Sequence, residues 1–217
     1  MLSAVILAAG DSTRMGSPKA VLRDVAGVPF VNRIVASFYA AALADVLIVT
    51  GRHHDDVAAA VAEFTGPARP RLVRNPDPSR GQLSSLWVAL EACDPRTEAL
   101  VVTLVDVPLL AVGTITAVVR AWERTRAPIV RPETNGRRGH PVIFDRAVFD
   151  ELRRAPLDVG ARAVVSAHYP EIVNVPVDDP GCILDIDTPE EYRAAVGRDS
   201  NPADATSPGR GTGSGGG

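Results

Sequence analysis

A glycine-rich loop near the amino terminus carries residues suited to bind phosphate. It contains Leu7, Ala8, Ala9, Gly10, Arg14, Gly16 and Lys19. Glycine lets backbone N–H groups approach phosphate oxygens closely, while the guanidinium of Arg14 and the ammonium of Lys19 can neutralise their charge. The spacing matches neither the Walker A pattern nor G-x-G-x-x-G, which weakens ATPase and dinucleotide-binding interpretations. Taken alone, an ordinary strand-to-helix turn with solvated charges explains these residues about equally well.

Asp106 is the first candidate metal ligand. It follows the apolar run Leu100–Val105 and precedes Pro108. We therefore expect it at the carboxyl end of a buried strand, where its carboxylate could hold Mg²⁺ against phosphate oxygens. The competing interpretation is that Asp106 is the N-cap of a helix near Ala111. This is less economical because Pro108 and Leu109 lie between them.

Asp185 and Asp187 are further carboxylate candidates. A strand is predicted over Cys182–Ile186 and its continuation, and two residues spaced by two on a strand share one face. Either could supply a second ligand to the metal. Asp187 could instead cap the helix predicted to begin at Pro189.

Two further polar segments could contact a ligand. Gly81, Ser84 and Ser85 precede a helix containing Leu86, so the serines could cap that helix, contact a nucleotide, or do both. His140 lies between glycine and proline, where a histidine is commonly structural, although contact with the acceptor or a role as general base is possible.

The elements that must position these residues alternate between strand and helix. Apolar runs predict strands at Val5–Leu7, Val46–Val49, Arg71–Val73 and Leu100–Val105. Helical periodicity covers the segments from Val28 to Phe38, Val57 to Phe64, Leu86 to Leu90 and Ile115 to Trp122. This alternation indicates an α/β domain with a mostly parallel central sheet, whose carboxyl edge would gather the loops that follow the strands.

The alternation of strands and helices changes after Trp122. Pro128–Arg131 and Pro141–Phe144 flank a polar glycine turn, which predicts a small antiparallel excursion beside the cleft. Helices around 147–153 and 161–168, a strand at 172–175 and a closing helix from Pro189 complete one domain over residues 1–197. Residues 198–217 are rich in Gly, Pro and Ser, so we expect a disordered tail.

Composition excludes several classes of function. The chain of 217 residues is 46% hydrophobic and 23% charged, with a formal net charge of -3 and no long basic run, which argues against a nucleic-acid partner. Cys93 and Cys182 lack metal-ligand spacing and suit a reducing, cytoplasmic location. No apolar stretch reaches the roughly 20 residues needed to span a membrane, and the apolar start predicts a strand and not a signal peptide.

Several segments in the same order resemble the molybdenum-cofactor branch of the nucleotidyltransferases. The similar segments are residues 7–19, 81–86, 105–108, 139–144, 160–162 and 185–191. The resemblance implies a three-layer, Rossmann-like (GT-A-like) fold. It also implies transfer of a nucleoside monophosphate to a phosphorylated small acceptor with Mg²⁺, using Arg14, Lys19 and Asp106, with Asp185 preferred over Asp187 as the second metal ligand.

The same resemblance suggests the substrates. Ala8-Ala9-Gly10 and Ser84-Ser85-Leu86 are similar to cytidylyl-transferring members, which implies CTP, and the acceptor would be the terminal phosphate of molybdopterin, with a molybdoenzyme as a possible partner. Gln82-Leu83 departs from that pattern. Two alternatives remain open at this point, a transferase acting on a sugar phosphate and a non-catalytic protein that binds and delivers a cofactor.

Overall fold

A central sheet organises the molecule. The computed structural model describes residues 1–11 and 15–197, and the sheet within them has eight strands. They are β1 (Leu2–Ala8), β2 (Asp45–Thr50), β3 (Arg71–Arg74), β4 (Ala99–Leu104), β5 (Ile129–Thr134), β6 (Arg137–Arg138), β7 (Val142–Asp145) and β8 (Val173–Pro176). Their order is β3-β2-β1-β4-β7-β5-β6, and β8 pairs with β5.

Most of the sheet is parallel, as predicted. β1 runs parallel to both β2 and β4, β2 to β3, and β5 to β8. β7 is antiparallel to both of its neighbours, β4 and β5, and β6 folds back on β5. The predicted antiparallel excursion is therefore confirmed. It enters the sheet next to β4, and Asp106 lies two residues beyond the end of that strand.

Helices cover both faces of the sheet. They are α1 (Phe30–Ala40), α2 (His54–Ala62), α3 (Gln82–Ala92), α4 (Val112–Thr125), α5 (Phe149–Arg154), α6 (Arg162–Ala167) and α7 (Pro189–Gly197). Apolar residues of α1, α2 and α4 pack on one face, and those of α3, α5 and α6 pack on the other. The three-layer α/β fold is thereby confirmed.

Alternation along β1 shows how the two cores share one strand. Ala4 and Ile6 pack into the core under α1, α2 and α4, whereas Val5 and Leu7 pack into the core under α3, α5 and α6. Complete burial of a Val, Ile or Leu side chain contributes about 1.5–3 kcal/mol. The continuously apolar strands thus stabilise the frame that carries the loops at the carboxyl edge.

The helix predicted from Val28 begins two residues later. Pro29 precedes the first helical residue, Phe30, and a residue before proline is disfavoured in the helical conformation. Val28 is consequently outside the helix and 38% exposed, while Val31 and Val35 are buried as predicted.

The strand predicted at Cys182–Ile186 is wrong. The segment Pro180–Ile183 forms a 3-10 helix, because the Asp179 side chain accepts a hydrogen bond from the Gly181 N–H and Pro180 fixes the turn. Near the end of β4, the Ile186 N–H donates to the Asp106 carbonyl (2.9 Å), and the segment is not paired as a strand. Alternation on a strand therefore does not place Asp185 and Asp187.

Two predicted features fall on residues outside the described ranges, namely Arg14 and the tail over residues 198–217. Within the described ranges, no helix combines the length and the apolar character needed to cross a bilayer.

Candidate active site

A cleft of about 320 Å³ opens at the carboxyl edge of β1 and β4. Many of the residues predicted for the site line it, and they come from four separate parts of the chain. These are Leu7, Ala8, Ala9, Gly10, Lys19, Gly81, Ser85, Asp106 and Asp187. Parallel strands place their carboxyl ends together, which is why loops distant in sequence meet here.

Other predicted site residues lie elsewhere. Gly16, Ser84, His140 and Asp185 do not line this cleft. Gly16 adopts φ +67°, a left-handed conformation that favours glycine, so it shapes the turn of the first loop. The role of each residue stays a prediction.

Lys19 joins two of the predicted metal ligands. It opens the 3-10 helix Lys19–Val21, and its ammonium donates to Asp106 Oδ2 (3.0 Å) and to Asp187 Oδ1. Its side chain is only 12% exposed. Burial by itself would disfavour the charged form, but hydrogen bonds and charge from Asp187 and Asp106 outweigh it and raise the pKa of Lys19. The cation is therefore held firmly in the charged state.

The carboxylates around Lys19 retain capacity to bind a cation. Within the described residues, Asp106 Oδ1 is buried and has no hydrogen-bond partner. Desolvation and the charge of Asp106 raise the pKa of Asp185, so its carboxylate also experiences the negative charge of this region. An unsatisfied buried carboxylate oxygen is costly unless a ligand completes it.

Neither predicted capping alternative holds for the aspartates. Thr188 Oγ1 accepts from the Glu191 N–H, and Glu191 in turn accepts from the Thr188 N–H, so Thr188 caps α7. The start of α4 is capped from a distance by Asp179, which accepts from Ala111 N–H (3.0 Å) and Thr114 Oγ1 (2.7 Å). The side chains of Asp106 and Asp187 both face Lys19.

The serines of the second loop form a network with Asn75. The N-cap of α3 is Gly81, at φ +88°, and no side chain caps this helix, so capping by the serines is wrong. Asn75 Nδ2 donates to Ser84 Oγ (2.8 Å) and to Ser85 Oγ (3.0 Å). Ser84 Oγ donates to the Gly81 carbonyl (2.7 Å), whereas Ser85 lines the cleft.

A second cavity of about 420 Å³ adjoins the cleft and shares Leu7, Gln82 and Leu104 with it. Its walls are mainly apolar, from α3, β4 and β7 and from the α5–α6 connection. Arg131, His140, Asp158 and Arg162 contribute its charged and polar groups.

His140 belongs to this second cavity. Its N–H donates to the Cys182 carbonyl (2.8 Å), and its ring Nδ1 lies 3.5 Å from the Val102 carbonyl. Burial lowers the pKa of His140, although the nearby charges of Asp185 and Asp106 act in the opposite direction. Burial thus favours the neutral form of the imidazole.

The family follows from the match of a family model described as the MobA-like NTP transferase domain, which covers residues 4–172. The chain belongs to this family. Membership confirms the predicted resemblance and the prediction of an enzyme, a nucleotidyltransferase, over a non-catalytic carrier. The matched residues include the first loop, Asp106 and most residues that line the cleft and the second cavity.

Curated relatives of this MobA-like domain have different lengths. The molybdenum cofactor cytidylyltransferase of Escherichia coli (strain K12) is 26% identical over 199 residues, covering 91% of this chain and 96% of that protein. The bifunctional protein GlmU of Sorangium cellulosum is 35% identical over 132 residues, covering 59% of this chain. The chain spans only 28% of that GlmU protein.

Solved structures share the fold over most of its length. Rv0371c from Mycobacterium tuberculosis H37Rv is 27% identical, with a TM-score of 0.76 and coverage of 91% of this chain and 99% of that one. A manganese complex of Rv0371c superposes with a TM-score of 0.72, 27% identity and coverage of 90% and 98%. The alignment therefore extends past residue 172.

Three contributors to the MobA-like site were not predicted from the sequence. Asn75 orders the serines, Asp179 ties the segment before Asp185 to α4, and Gly51 packs against the backbone of Ala9, which lines the cleft. A Cβ on Gly51 would lie 2.5 Å from the Ala9 carbonyl oxygen. The available signal for Gly51 was its position directly after a buried strand, where glycine permits close backbone approach.

Proposed function

We propose that the enzyme transfers CMP from CTP to the terminal phosphate of a pterin-type acceptor such as molybdopterin, with Mg²⁺ as cofactor. The observation that carries the proposal is the continuity of two cavities of different character. One holds Lys19, Asp106 and Asp187, which suit a triphosphate and a metal, and the other combines two arginines with several apolar side chains.

The residues present fit a magnesium ion. Asp106 would hold it through the buried oxygen that has no partner among the described residues, and Asp185 or Asp187 would supply a second carboxylate. Within the same residues, no group of three or more His, Cys, Asp or Glu side chains is arranged to hold a metal alone. This suits Mg²⁺, which commonly takes one or two carboxylates and completes its shell with substrate phosphates and water. When bound, the ion would neutralise phosphate charge.

The chain's own residues position the reactants. In the proposed reaction an acceptor phosphate oxygen attacks the α-phosphorus of CTP, the bond to the bridging oxygen breaks, and pyrophosphate leaves with that oxygen. A phosphate monoester is already largely ionised at pH 7, so no general base is required. This agrees with the neutral, recessed His140. Lys19 and the first loop contribute charge stabilisation and orientation.

The second cavity favours a flat, anionic acceptor. Leu86, Val102 and Phe144 offer apolar walls for a ring system. Arg131 and Arg162 contribute positive charge to its lining, and in residues 1–11 and 15–197 neither forms an ion pair with a carboxylate, although Arg131 Nε donates to Asn174 Oδ1 (2.8 Å). A guanidinium with no carboxylate partner is available to a phosphate. A polyhydroxylated sugar would leave hydroxyls against apolar walls without partners.

A sugar phosphate remains the second candidate acceptor, as the sequence left open, and the bifunctional protein GlmU is 35% identical over 59% of this chain. The proposed cytoplasmic location and a molybdoenzyme partner rest on the resemblance to the E. coli cytidylyltransferase.

The test is a transfer assay that follows pyrophosphate release. CTP, GTP, ATP and UTP are each offered with Mg²⁺ and with molybdopterin, glucosamine 1-phosphate or no acceptor. Turnover with CTP and molybdopterin, lost in Asp106→Ala and in EDTA, supports the proposal. Turnover with a sugar phosphate alone, or full activity of Asp106→Ala, contradicts it.

A further inference from the structure

We infer that Asn75 fixes Ser85 as a hydrogen-bond donor toward the nucleotide base and thereby selects CTP over UTP. The inference rests on the proposed function, since it concerns the base in the same cleft. Asn75 itself does not line the cleft and is 3% exposed. It acts through Ser85 and is therefore a positioning residue.

The orientation of the Asn75 amide is determined by a backbone group. The Asp77 N–H donates to Asn75 Oδ1 at 3.0 Å. Because a backbone N–H can only donate, the amide oxygen must lie on that side and the amide nitrogen must face the serines. Nδ2 then gives one hydrogen to Ser84 Oγ (2.8 Å) and the other to Ser85 Oγ (3.0 Å).

The two serine hydroxyls use their protons differently. Ser84 Oγ donates to the Gly81 carbonyl at 2.7 Å, so its proton is used within the loop. Ser85 Oγ accepts from Asn75, and within residues 1–11 and 15–197 no acceptor bonds its proton. Since Ser85 is 3% exposed and lines the cleft, that proton is available to a bound base.

A donor in this place requires an acceptor on the base. Cytosine presents an acceptor at ring position N3, whereas uracil carries an N–H there. A fixed donor that faces ring position N3 therefore matches cytosine and leaves two hydrogens facing each other with uracil. Mismatched buried polar groups discriminate strongly between otherwise similar ligands.

Reversing the network tests this inference. Asn75→Asp keeps the size of the side chain, and the Asp77 N–H still finds an acceptor. At pH 8 the new carboxylate is ionised and can only accept, so Ser85 must donate to it and present a lone pair to the cleft. Dissociation constants for CTP and UTP are measured with Mg²⁺ by calorimetry, and folding is checked by melting without nucleotide.

In the wild type we expect CTP to bind more tightly than UTP. Asn75→Asp should weaken CTP binding by about tenfold and lower the CTP-to-UTP affinity ratio by a similar factor. Ser85→Ala should lower the ratio by about fivefold, and adding Asn75→Asp to it should cause little further change, since coupled residues are non-additive. Ser79→Ala, a serine of the same loop that does not line the cleft, is the matched control and should preserve the ratio.

An unchanged CTP-to-UTP affinity ratio in Asn75→Asp overturns the inference. So does a fall in that ratio on Asn75→Asp that is equally large in the wild type and in Ser85→Ala. If Asn75→Asp fails to fold, Ser85→Ala decides alone, because a preserved or increased ratio contradicts a donor role. Failure of the proposed function is distinguishable. If the wild type prefers another nucleotide, coupling of Asn75 and Ser85 in the affinity for that nucleotide still supports the fixed donor, while the CTP proposal fails.

Discussion

Replacing Lys19 by Met should destabilise the ligand-free enzyme and increase its stabilisation by Mg²⁺. Met preserves most of the aliphatic stem and removes the ammonium that bonds Asp106 at 3.0 Å and also bonds Asp187. Lys19 is the only lysine of the chain, so this substitution removes every lysine ammonium. The loss of stability measures how much the ammonium of Lys19 contributes to the free energy of unfolding through Asp106 and Asp187.

The magnitude follows from burial. Removing one partner of a fully buried ion pair costs about 3–5 kcal/mol. The side chains of Lys19 and Asp106 are 12% and 21% exposed, so solvent screens part of this cost. Asp187 is 38% exposed, and its ion pair with Lys19 therefore adds little to the free energy of unfolding. We expect a loss of about 2 kcal/mol. For a domain of this size, that lowers Tm by about 4–8 °C.

The assay is thermal unfolding with EDTA and with increasing MgCl₂. Added Mg²⁺ should raise the Tm of Lys19→Met more than that of the wild type, because the ion no longer competes with the ammonium for Asp106. Arg71→Met is the matched control, as it removes a cation from the carboxylate of Asp45, which is 19% exposed and lies away from the cleft. It should be destabilised without any increase in the response to Mg²⁺. Equal Mg²⁺ responses of Lys19→Met and wild type would refute the reasoning.

Three further predictions concern other parts of the fold. Gly51→Ala should weaken nucleotide binding at least about tenfold, because its Cβ would displace the Ala9 carbonyl. The control is Gly113→Ala, whose Cβ would meet no atom within 4 Å, and it should bind nucleotide normally in the same titration. Asp179→Ala should lower the free energy of unfolding by about 2 kcal/mol in urea, because three donors lose their acceptor; an unchanged midpoint contradicts this role. Hydrogen bonds to two glutamates, with burial opposing, raise the pKa of His168. Its stabilisation is therefore complete below the unfolded pKa of about 6.5 and lost as pH rises through the higher folded value, so the Tm difference from His168→Gln should shrink between pH 6 and 8.5.

The sequence predicted the sheet well because buried strands are long apolar runs. Leu100–Val105 required a strand, and the carboxylate after it could only emerge at the carboxyl edge. The segment over Cys182–Ile186 has a similar apolar content, yet Pro180 and the Asp179 side chain turn it into a 3-10 helix. Periodicity records which residues are apolar and does not record such hydrogen bonds between a side chain and the neighbouring backbone.

The candidate site shows the same limit at the level of single atoms. The sequence predicted that the first loop and Asp106 lie at strand ends, and the structure brings Lys19 and Asp106 together in one cleft, while their roles stay predictions. The contact between Lys19 and Asp187 joins residues 168 positions apart, and no local pattern predicts it.

Hydrogen-bond direction is the part of specificity that a motif does not contain. Ser85 could donate or accept, and the residue that decides between them lies ten positions earlier, at Asn75. Asn75 is itself oriented by a backbone N–H, so the loop conformation and the side chain act together. Two relatives with the same serine but a carboxylate at the position of Asn75 would present opposite hydrogen-bonding groups to the base. Nucleotide choice in this family should therefore be inferred from the serine together with the residue that orients it.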